Sequence, residues 1–206
     1  MSLGDSIFAA TYDRMSRGTE EAGLRAHREA LLSQASGRVL EIGAGTGRNL
    51  PYYRDDVELT LVEPGEPMLR RLERRLEEHP RQVELVRAPA EALPFEDGEF
   101  DVVVSTLVLC AVEDQATALA EARRVLKPGG TLLFIEHLRS DEPKLARLQD
   151  RMNRVNRLVV RCNCNRSTLD AIRAAGFTIG EVEHGELPKA PRFVRPLAVG
   201  AATPSA

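Results

Sequence analysis

The residues with the clearest chemical potential lie in a glycine-rich turn after the first apolar strand. Gly43, Gly45 and Gly47 alternate there, and glycine accepts a positive φ and lets a ligand approach the backbone closely. A second apolar run, residues 59–62, ends in Glu63, whose carboxylate can accept hydrogen bonds from both hydroxyls of a ribose. A glycine turn with an acidic residue at the end of the next strand predicts a site for a nucleotide-like cofactor.

The residue at position 48 argues against a dinucleotide. The fingerprint G-x-G-x-x-G needs its third glycine at that position, where this chain has Arg48. An oxidoreductase that uses a nicotinamide dinucleotide is therefore the weaker interpretation.

Strands and helices alternate in the segments that would position the glycine turn. The predicted core elements are a strand at 38–42, a helix at 47–54, a strand at 58–63, a helix at 65–78, strands at 83–86 and 100–105, a helix at 113–126 and a strand at 130–137. The apolar runs at 102–104 and 131–135 are continuous, which is typical of central strands covered on both faces. The order of elements predicts an α/β protein with a doubly wound sheet.

Further helices and strands are predicted on either side of this core. They are two helices within residues 5–34, a helix at 142–161, a helix from about 167 to 176, and closing strands at 177–184 and 193–201. The helix at 142–161 carries an apolar stripe formed by Leu145, Leu148, Met152, Val155 and Val159. A charged helix with one apolar stripe is typical of a surface helix.

Composition limits the class of protein. The chain has 206 residues, enough for one domain with a substantial core. Its 28 Lys and Arg against 31 Asp and Glu give a net charge of −3, so nucleic acid is not an expected partner. No apolar run is long enough to cross a bilayer, and no signal-peptide pattern opens the chain. Three cysteines, an odd number, favour a reducing cytoplasm over a disulfide framework.

Four segments together resemble the class I S-adenosylmethionine-dependent methyltransferases. They are Glu41 with the glycine turn, residues 89–95, residues 100–107 and residues 121–130. The resemblance covers roughly residues 38–138 and implies S-adenosylmethionine as the cofactor. It also implies a Rossmann-like seven-stranded sheet with helices on both faces and an antiparallel C-terminal strand pair. The whole chain, 1–206, would be one domain: a helical cap at 1–35, a cofactor-binding core at 36–138, and a lid helix with closing strands at 139–206.

A closer resemblance concerns the methyl acceptor. Residues 102–112, 134–137, 164–165 and 194–196 are similar to a methyltransferase family whose animal members methylate alkyl thiols. We expect this chain to differ from those members in having no N-terminal hydrophobic anchor. The resemblance implies a small-molecule acceptor, with a thiol as the first choice. Residues 49–52 resemble phospholipid N-methyltransferases, so a lipid amine stays open, as does a quinol or phenol. A non-catalytic sensor or scaffold that binds the cofactor is the alternative of another class.

The superfamily resemblance assigns contacts with the cofactor residue by residue. It places the glycines against the methionine and ribose, Glu41 near the methionine amino group, Glu63 on the ribose, and Thr106 and Leu107 beneath the sulfonium. The assigned residues are Tyr12, Glu41, Gly43, Ala44, Gly45, Gly47, Asn49, Glu63, Pro64, Met68, Ala90, Glu91, Thr106 and Leu107.

Few residues suggest catalysis beyond cofactor binding. His137 ends the fifth predicted strand, at the edge where doubly wound folds bind ligands, and is the candidate general base. Cys162 and Cys164 form a C-x-C pair without histidines at ligand spacing, so no metal is predicted. Cys110 follows a strand end near the expected cavity, where free cysteine is most often a small buried apolar residue. The sequence leaves the oligomeric state open.

Overall fold

A seven-stranded sheet organises the computed structural model, which describes residues 3–205. Its strands, in chain order, are β1 Arg38–Ile42, β2 Glu58–Val62, β3 Val83–Val86, β4 Phe100–Thr106, β5 Leu126–His137, β6 Phe177–Glu186 and β7 Pro196–Pro204. Their spatial order is β3-β2-β1-β4-β5-β7-β6. Strands β1 to β5 are parallel, and β7 pairs antiparallel with both β5 and β6. The predicted sheet and its antiparallel C-terminal pair are confirmed.

Helices cover both faces of the sheet. They are α1 Leu3–Thr19, α2 Arg25–Leu32, α3 Glu66–Glu78, α4 Gln115–Val125, α5 Pro143–Val160 and α6 Thr168–Ala174. Side chains alternate across a strand, so Val39 of β1 belongs to the core cluster of α2 and α3, whereas Leu40 belongs to that of α4 and α6. The prediction of a doubly wound sheet is therefore correct on both faces.

The helix predicted at 47–54 is wrong. Only a single 3₁₀ turn, Leu50–Tyr52, forms there. Gly45 and Gly47 both have positive φ, 57° and 77°, so a right-handed helix cannot begin before position 48. Tyr53 already has an extended backbone, and its hydroxyl donates to buried Glu41. The side chain of Tyr53 is thus directed inward, which leaves room for one turn only.

The buried face of α5 is not its apolar stripe. Gln149 and Asn156 are buried, whereas Leu148, Val155 and Val159 of the predicted stripe are exposed. Gln149 Nε2 donates to three backbone carbonyls, which belong to Leu138, Cys164 and Phe193. The inner face of the helix contacts backbone carbonyl groups of neighbouring segments, and buried carbonyl groups need hydrogen-bond donors. Amide side chains therefore face inward.

Other boundaries differ by a few residues. Strand β5 begins at Leu126, directly after α4, and β7 begins at Pro196 because Arg192–Val194 forms a 3₁₀ turn. None of the helices in residues 3–205 is long and apolar enough to span a membrane. The division into cap, core and lid stays a prediction, and its residues 1, 2 and 206 lie outside the described part of the chain.

Candidate active site

A cavity of about 990 Å³ opens at the carboxyl ends of the parallel strands. Its walls come from the loops after β1, β2, β3 and β4, from α1, and from the end of α5. Ligands bind at this edge in open α/β sheets. Of the residues assigned from the sequence, those that line the cavity are Tyr12, Gly43, Gly45, Glu63, Pro64, Met68, Ala90, Glu91 and Leu107.

Two glycines of the turn serve the cavity in different ways. A Cβ at Gly43 would lie 2.7 Å from the Val108 side chain, so this position needs glycine for close packing. A Cβ at Gly45 would meet only the Gly43 carbonyl oxygen, at 3.9 Å. The backbone at Gly45 therefore presents a bare surface to the cavity.

Glu63 joins two turns of the cavity floor. Its Oε2 accepts a hydrogen bond from Gly45 N at 2.9 Å, and its Oε1 accepts one from Gly65 N at 2.8 Å. Burial raises the pKa of Glu63, and the two backbone bonds act in the opposite direction. The carboxylate thus fixes the bare backbone at Gly45 and lies at the cavity surface beside it.

Three polar residues that the sequence assigned to the cofactor lie behind the cavity wall. Glu41 is 2% exposed and accepts hydrogen bonds from Tyr53 Oη at 2.7 Å and Asn49 Nδ2 at 3.0 Å. Asn49 Nδ2 also donates to Thr106 Oγ1 at 2.9 Å. Burial raises the pKa of Glu41 to about 7. Glu41, Asn49 and Thr106 bond to one another and are absent from the cavity lining.

An arginine that the sequence analysis missed completes this network. Arg28 of α2 is 3% exposed, and its Nη1 donates to Asn49 Oδ1 at 2.6 Å and to Thr106 Oγ1 at 3.1 Å. On its other side, Nη2 donates to buried Glu20 at 3.0 Å. A signal was present, because Arg28 falls between Leu24 and Leu31 on the apolar stripe of its helix.

Ala44 and Gly47 are also outside the cavity. Ala44 N donates to Val62 O at 2.9 Å and so couples the turn to β2. A Cβ at Gly47 would lie 2.5 Å from Leu72 Cδ1 of α3. Gly47 is therefore required by the packing of α3 under the turn, whatever binds above it.

Helix α1 is fastened to the glycine turn through Asp13. Its Oδ1 accepts from Thr46 Oγ1 at 2.7 Å and from Arg48 Nε at 3.0 Å, while Oδ2 accepts from Arg75 of α3 at 2.8 Å. Arg48, the residue that broke the dinucleotide fingerprint, thus holds α1 in place. This anchor positions the neighbouring Tyr12 at the cavity.

Glu91 is engaged by the loop before α4. Its Oε1 accepts from the backbone nitrogens of Glu113 at 2.7 Å and Asp114 at 3.3 Å. Glu91 still lines the cavity, but these bonds direct its carboxylate to the loop. Contact with an adenine through the Glu91 side chain stays a prediction.

The loop after β4 forms the wall opposite the glycine turn, and Glu136 holds it. Leu107 has a left-handed backbone, with φ 59°. Oε1 of fully buried Glu136 accepts from Ser105 Oγ at 2.6 Å, Val108 N at 3.0 Å and Leu109 N at 3.1 Å. Burial raises the pKa of Glu136 to about 7. The sequence analysis overlooked this residue beside His137.

His137 is not brought to the cavity. The residues that line the cavity do not include it, and it is 8% exposed beside the backbone of Val194 and Pro196. Burial lowers the pKa of His137 to about 4, against the opposite effect of those two backbone groups. The imidazole is therefore neutral near pH 7 and does not line the cavity. This placement does not support His137 as the general base.

Comparisons with known proteins place this geometry in a family. A profile described as "Methyltransferase domain" matches residues 40–134. The human thiol S-methyltransferase TMT1A is 32% identical over 173 residues, which cover 77% of this chain and 67% of that protein. The chain belongs to the class I S-adenosylmethionine-dependent methyltransferases.

Two further relatives of this methyltransferase differ from each other in activity. Human thiol S-methyltransferase TMT1B is 42% identical over 112 residues, or 52% of this chain and 46% of that protein. The phosphatidylethanolamine N-methyltransferase of Cereibacter sphaeroides is 32% identical over 147 residues, or 70% of this chain and 72% of that protein. The match therefore spans about half the length of TMT1B.

A solved structure agrees with the fold of the methyltransferase. It is a methyltransferase of Thermotoga maritima, described as a possible histamine N-methyltransferase. The two chains superpose with a TM-score of 0.70 at 27% identity, over 96% of each chain. S-adenosylmethionine is the methyl donor of this family. The bare backbone at Gly45 and the adjacent Glu63 carboxylate fit a ligand that carries a ribose.

Proposed function

We propose that this methyltransferase transfers the methyl group of S-adenosylmethionine to the sulfur of a small apolar thiol. The observation that carries the proposal is the composition of the cavity wall. The described residues that line the cavity include no histidine and no lysine. The side of the cavity near the loop after β4 presents the apolar side chains of Phe8, Leu107, Val108, Val112 and Val160, beside the ion pair of Arg161 and Asp5. Such a wall suits an apolar acceptor that needs no strong base.

The chain's own residues would hold the cofactor between two turns. Gly45 would supply a backbone surface, and Glu63 would accept the ribose hydroxyls. Pro64, Met68 and Ala90 would flank the adenine. When bound, S-adenosylmethionine supplies a methyl group activated by a sulfonium. The protein's remaining task is to align the acceptor with that methyl group and to exclude water.

The choice of acceptor class depends on how much base catalysis each nucleophile needs. A thiol ionises far more readily than the matching alcohol and its sulfur is intrinsically nucleophilic, so it needs less help from a base. A hydroxyl acceptor would need a positioned base; His137 is not at the cavity, and the lining carboxylates Glu66 and Glu91 are already bonded to neighbouring groups. The sequence relationship to thiol S-methyltransferases supports the same choice.

We expect a small alkyl thiol to be methylated faster than the matching alcohol. The rate should rise with pH as the thiolate forms and level off above the pKa of the thiol. The measurement is formation of S-adenosylhomocysteine by purified protein with each acceptor between pH 6 and 10. Replacement of His137 by Gln should slow thiol transfer only modestly, whereas a loss on the order of a hundredfold would identify it as the base.

The same assay includes the competing acceptors. A phospholipid amine or a quinol that reacts when no thiol does would overturn the thiol proposal and leave the methyltransferase assignment intact. Binding of S-adenosylmethionine without turnover on any acceptor would favour a sensor or scaffold.

The ribose contact can be tested by changing Glu63. We expect Glu63→Ala to weaken cofactor binding by about 1.5–3 kcal/mol, the usual range for a hydrogen bond to a charged group. Because Glu63 also orders Gly45, Glu63→Gln should lose less than Glu63→Ala. Titration calorimetry with S-adenosylhomocysteine measures both affinities. Glu66→Ala, a change to a partly exposed carboxylate at the same cavity, is the control, and equal losses in the two alanine variants would exclude a specific role for Glu63.

Composition supports the expected partners and compartment. The net charge of −3 offers no basic field for nucleic acid. Cys110, Cys162 and Cys164 are all free thiols, which supports a reducing compartment such as the cytoplasm.

A further inference from the structure

Two cysteines from distant parts of the chain meet in the wall of the cavity. Cys110 lies in the loop after β4, and Cys162 follows the end of α5. Both line the cavity, although they are only 2% and 8% exposed. Cys162 has the largest influence on the pKa of the Cys110 thiol, and Cys110 Sγ lies 3.6 Å from Leu107 O. The two cysteines are therefore neighbours in the wall that would contact the methyl acceptor.

Backbone contacts hold the two segments together independently of the thiols. Cys110 O accepts from Asn163 N at 2.8 Å and from Asn163 Nδ2 at 3.1 Å. Arg166 donates to Leu109 O at 2.5 Å and to Val112 O at 2.8 Å. The loop after β4 is thus bonded on both sides of Cys110 to the segment that carries Cys162. The thiol pair is a built feature of the fold.

The third cysteine has a different environment. Cys164 lies two residues from Cys162 but does not line the cavity. Its Sγ is 3.7 Å from Gln149 O and 3.7 Å from Asn153 Oδ1. Proximity in sequence therefore does not decide which thiol can pair with Cys110, and Cys164 provides an internal control.

We propose that Cys110 and Cys162 form a redox-sensitive modification site that a small peroxide converts to a disulfide. Each sulfur gives up one proton and one electron, and a bond forms between the two sulfurs. The oxygen–oxygen bond of hydrogen peroxide breaks, and the peroxide is reduced to two molecules of water. The disulfide links the loop after β4 to the end of α5 and changes the wall on the acceptor side.

The surroundings of the two thiols determine how their oxidation depends on pH. The neighbouring Cys162 thiol and burial raise the pKa of the Cys110 thiol well above its ordinary value; Glu136 acts in the same direction and Arg166 in the opposite one. A protonated thiol is a poor nucleophile. Cys110 would therefore not accept the methyl group of a cofactor bound in the same cavity. Oxidation proceeds through a thiolate, and its rate should therefore increase as the pH rises.

The experiment treats the whole chain with hydrogen peroxide and blocks the remaining thiols by alkylation. We expect mass spectrometry to show the loss of two hydrogen atoms, a linked peptide pair containing Cys110 and Cys162, and an alkylated Cys164. Dithiothreitol should reverse the link. The variant Cys164→Ser should behave like the unchanged protein, whereas Cys162→Ser should form no link. A link through Cys164, or overoxidation of Cys110 without a link, would overturn the proposal.

The effect on activity rests on the proposed function and is measured separately. Oxidised protein should lose at least tenfold of its own untreated thiol-transfer rate and regain it with dithiothreitol. Cys162→Ser should keep its own untreated rate after the same treatment. Retention of full activity by linked protein would show that the disulfide does not affect the acceptor. If untreated protein methylates no thiol, the proposed function fails while peptide mapping still decides the disulfide.

Discussion

Gly45→Val should abolish detectable binding of S-adenosylmethionine. A Cβ at position 45 meets nothing closer than the Gly43 carbonyl oxygen at 3.9 Å, so the valine side chain would occupy the open cavity. We expect affinity to fall at least roughly a hundredfold, which corresponds to about 2.7 kcal/mol. The measurement is the increase in melting temperature on addition of S-adenosylhomocysteine, since a ligand that binds only the native state stabilises it.

A matched control separates occlusion of the cavity from backbone strain. Gly45 has φ 57°, where a β-branched residue is strained by about 1–3 kcal/mol. Gly129 has φ 78°, and a Cβ there meets nothing within 4 Å, but it lies near the start of β5, at the opposite end of the sheet. Gly129→Val should therefore lose similar stability and keep the ligand response. If Gly45→Val shows the normal increase in melting temperature with S-adenosylhomocysteine, the glycine turn is not part of the binding site.

The sheet and the cavity floor could be predicted because local signals determine them. Continuous apolar runs indicate buried parallel strands, and such strands place their carboxyl ends at one edge. Glu63 follows β2 directly and Gly45 lies three residues after the end of β1, so they had to meet at that edge. Their position in the cavity agrees with this prediction, while their role toward the cofactor stays to be tested.

The direction of polar side chains could not be predicted from proximity to a motif. Asn49 follows the glycine turn in sequence, but the short 3₁₀ turn directs its amide to Glu41 and Arg28. The partners of Asn49 come from β1, α2 and β4, which only the tertiary fold brings together.

The orientation of His137 follows from the alternation of side chains along β5, a signal that the sequence contained. Alternate residues of a strand face the same side, and Leu133 and Ile135 of β5 pack toward α2 and α3. His137 has the same parity, so its imidazole points to that face and away from the loop after β4. Glu136 has the opposite parity and reaches that loop. The alternation of side chains along β5 therefore favours Glu136, and not His137, as the residue that contacts this loop.

The buried pair of Arg28 and Glu20 carries the second large expectation. Both side chains are nearly inaccessible, at 3% and 5% exposure, and Arg28→Met would leave the Glu20 carboxylate buried without its cation. Removing one partner of a buried pair costs about 3–5 kcal/mol. We expect urea unfolding at pH 7 to show a loss of that size. The exposed pair of Arg173 and Asp170 is the control, because Arg173→Met should cost only about 0–1 kcal/mol.

A double variant distinguishes the loss of charge balance from the loss of packing. In Arg28→Met with Glu20→Leu the uncompensated charge disappears, and replacing a buried ion pair by apolar residues of similar volume is often neutral or stabilising. Recovery should be incomplete here, because Asn49 Oδ1 and Thr106 Oγ1 lose the donor that Arg28 provides. If the double variant is no more stable than Arg28→Met, Arg28 acts mainly through those two bonds behind the glycine turn. If Arg28→Met costs no more than Arg173→Met, the buried network does not stabilise the N-terminal helices on the sheet.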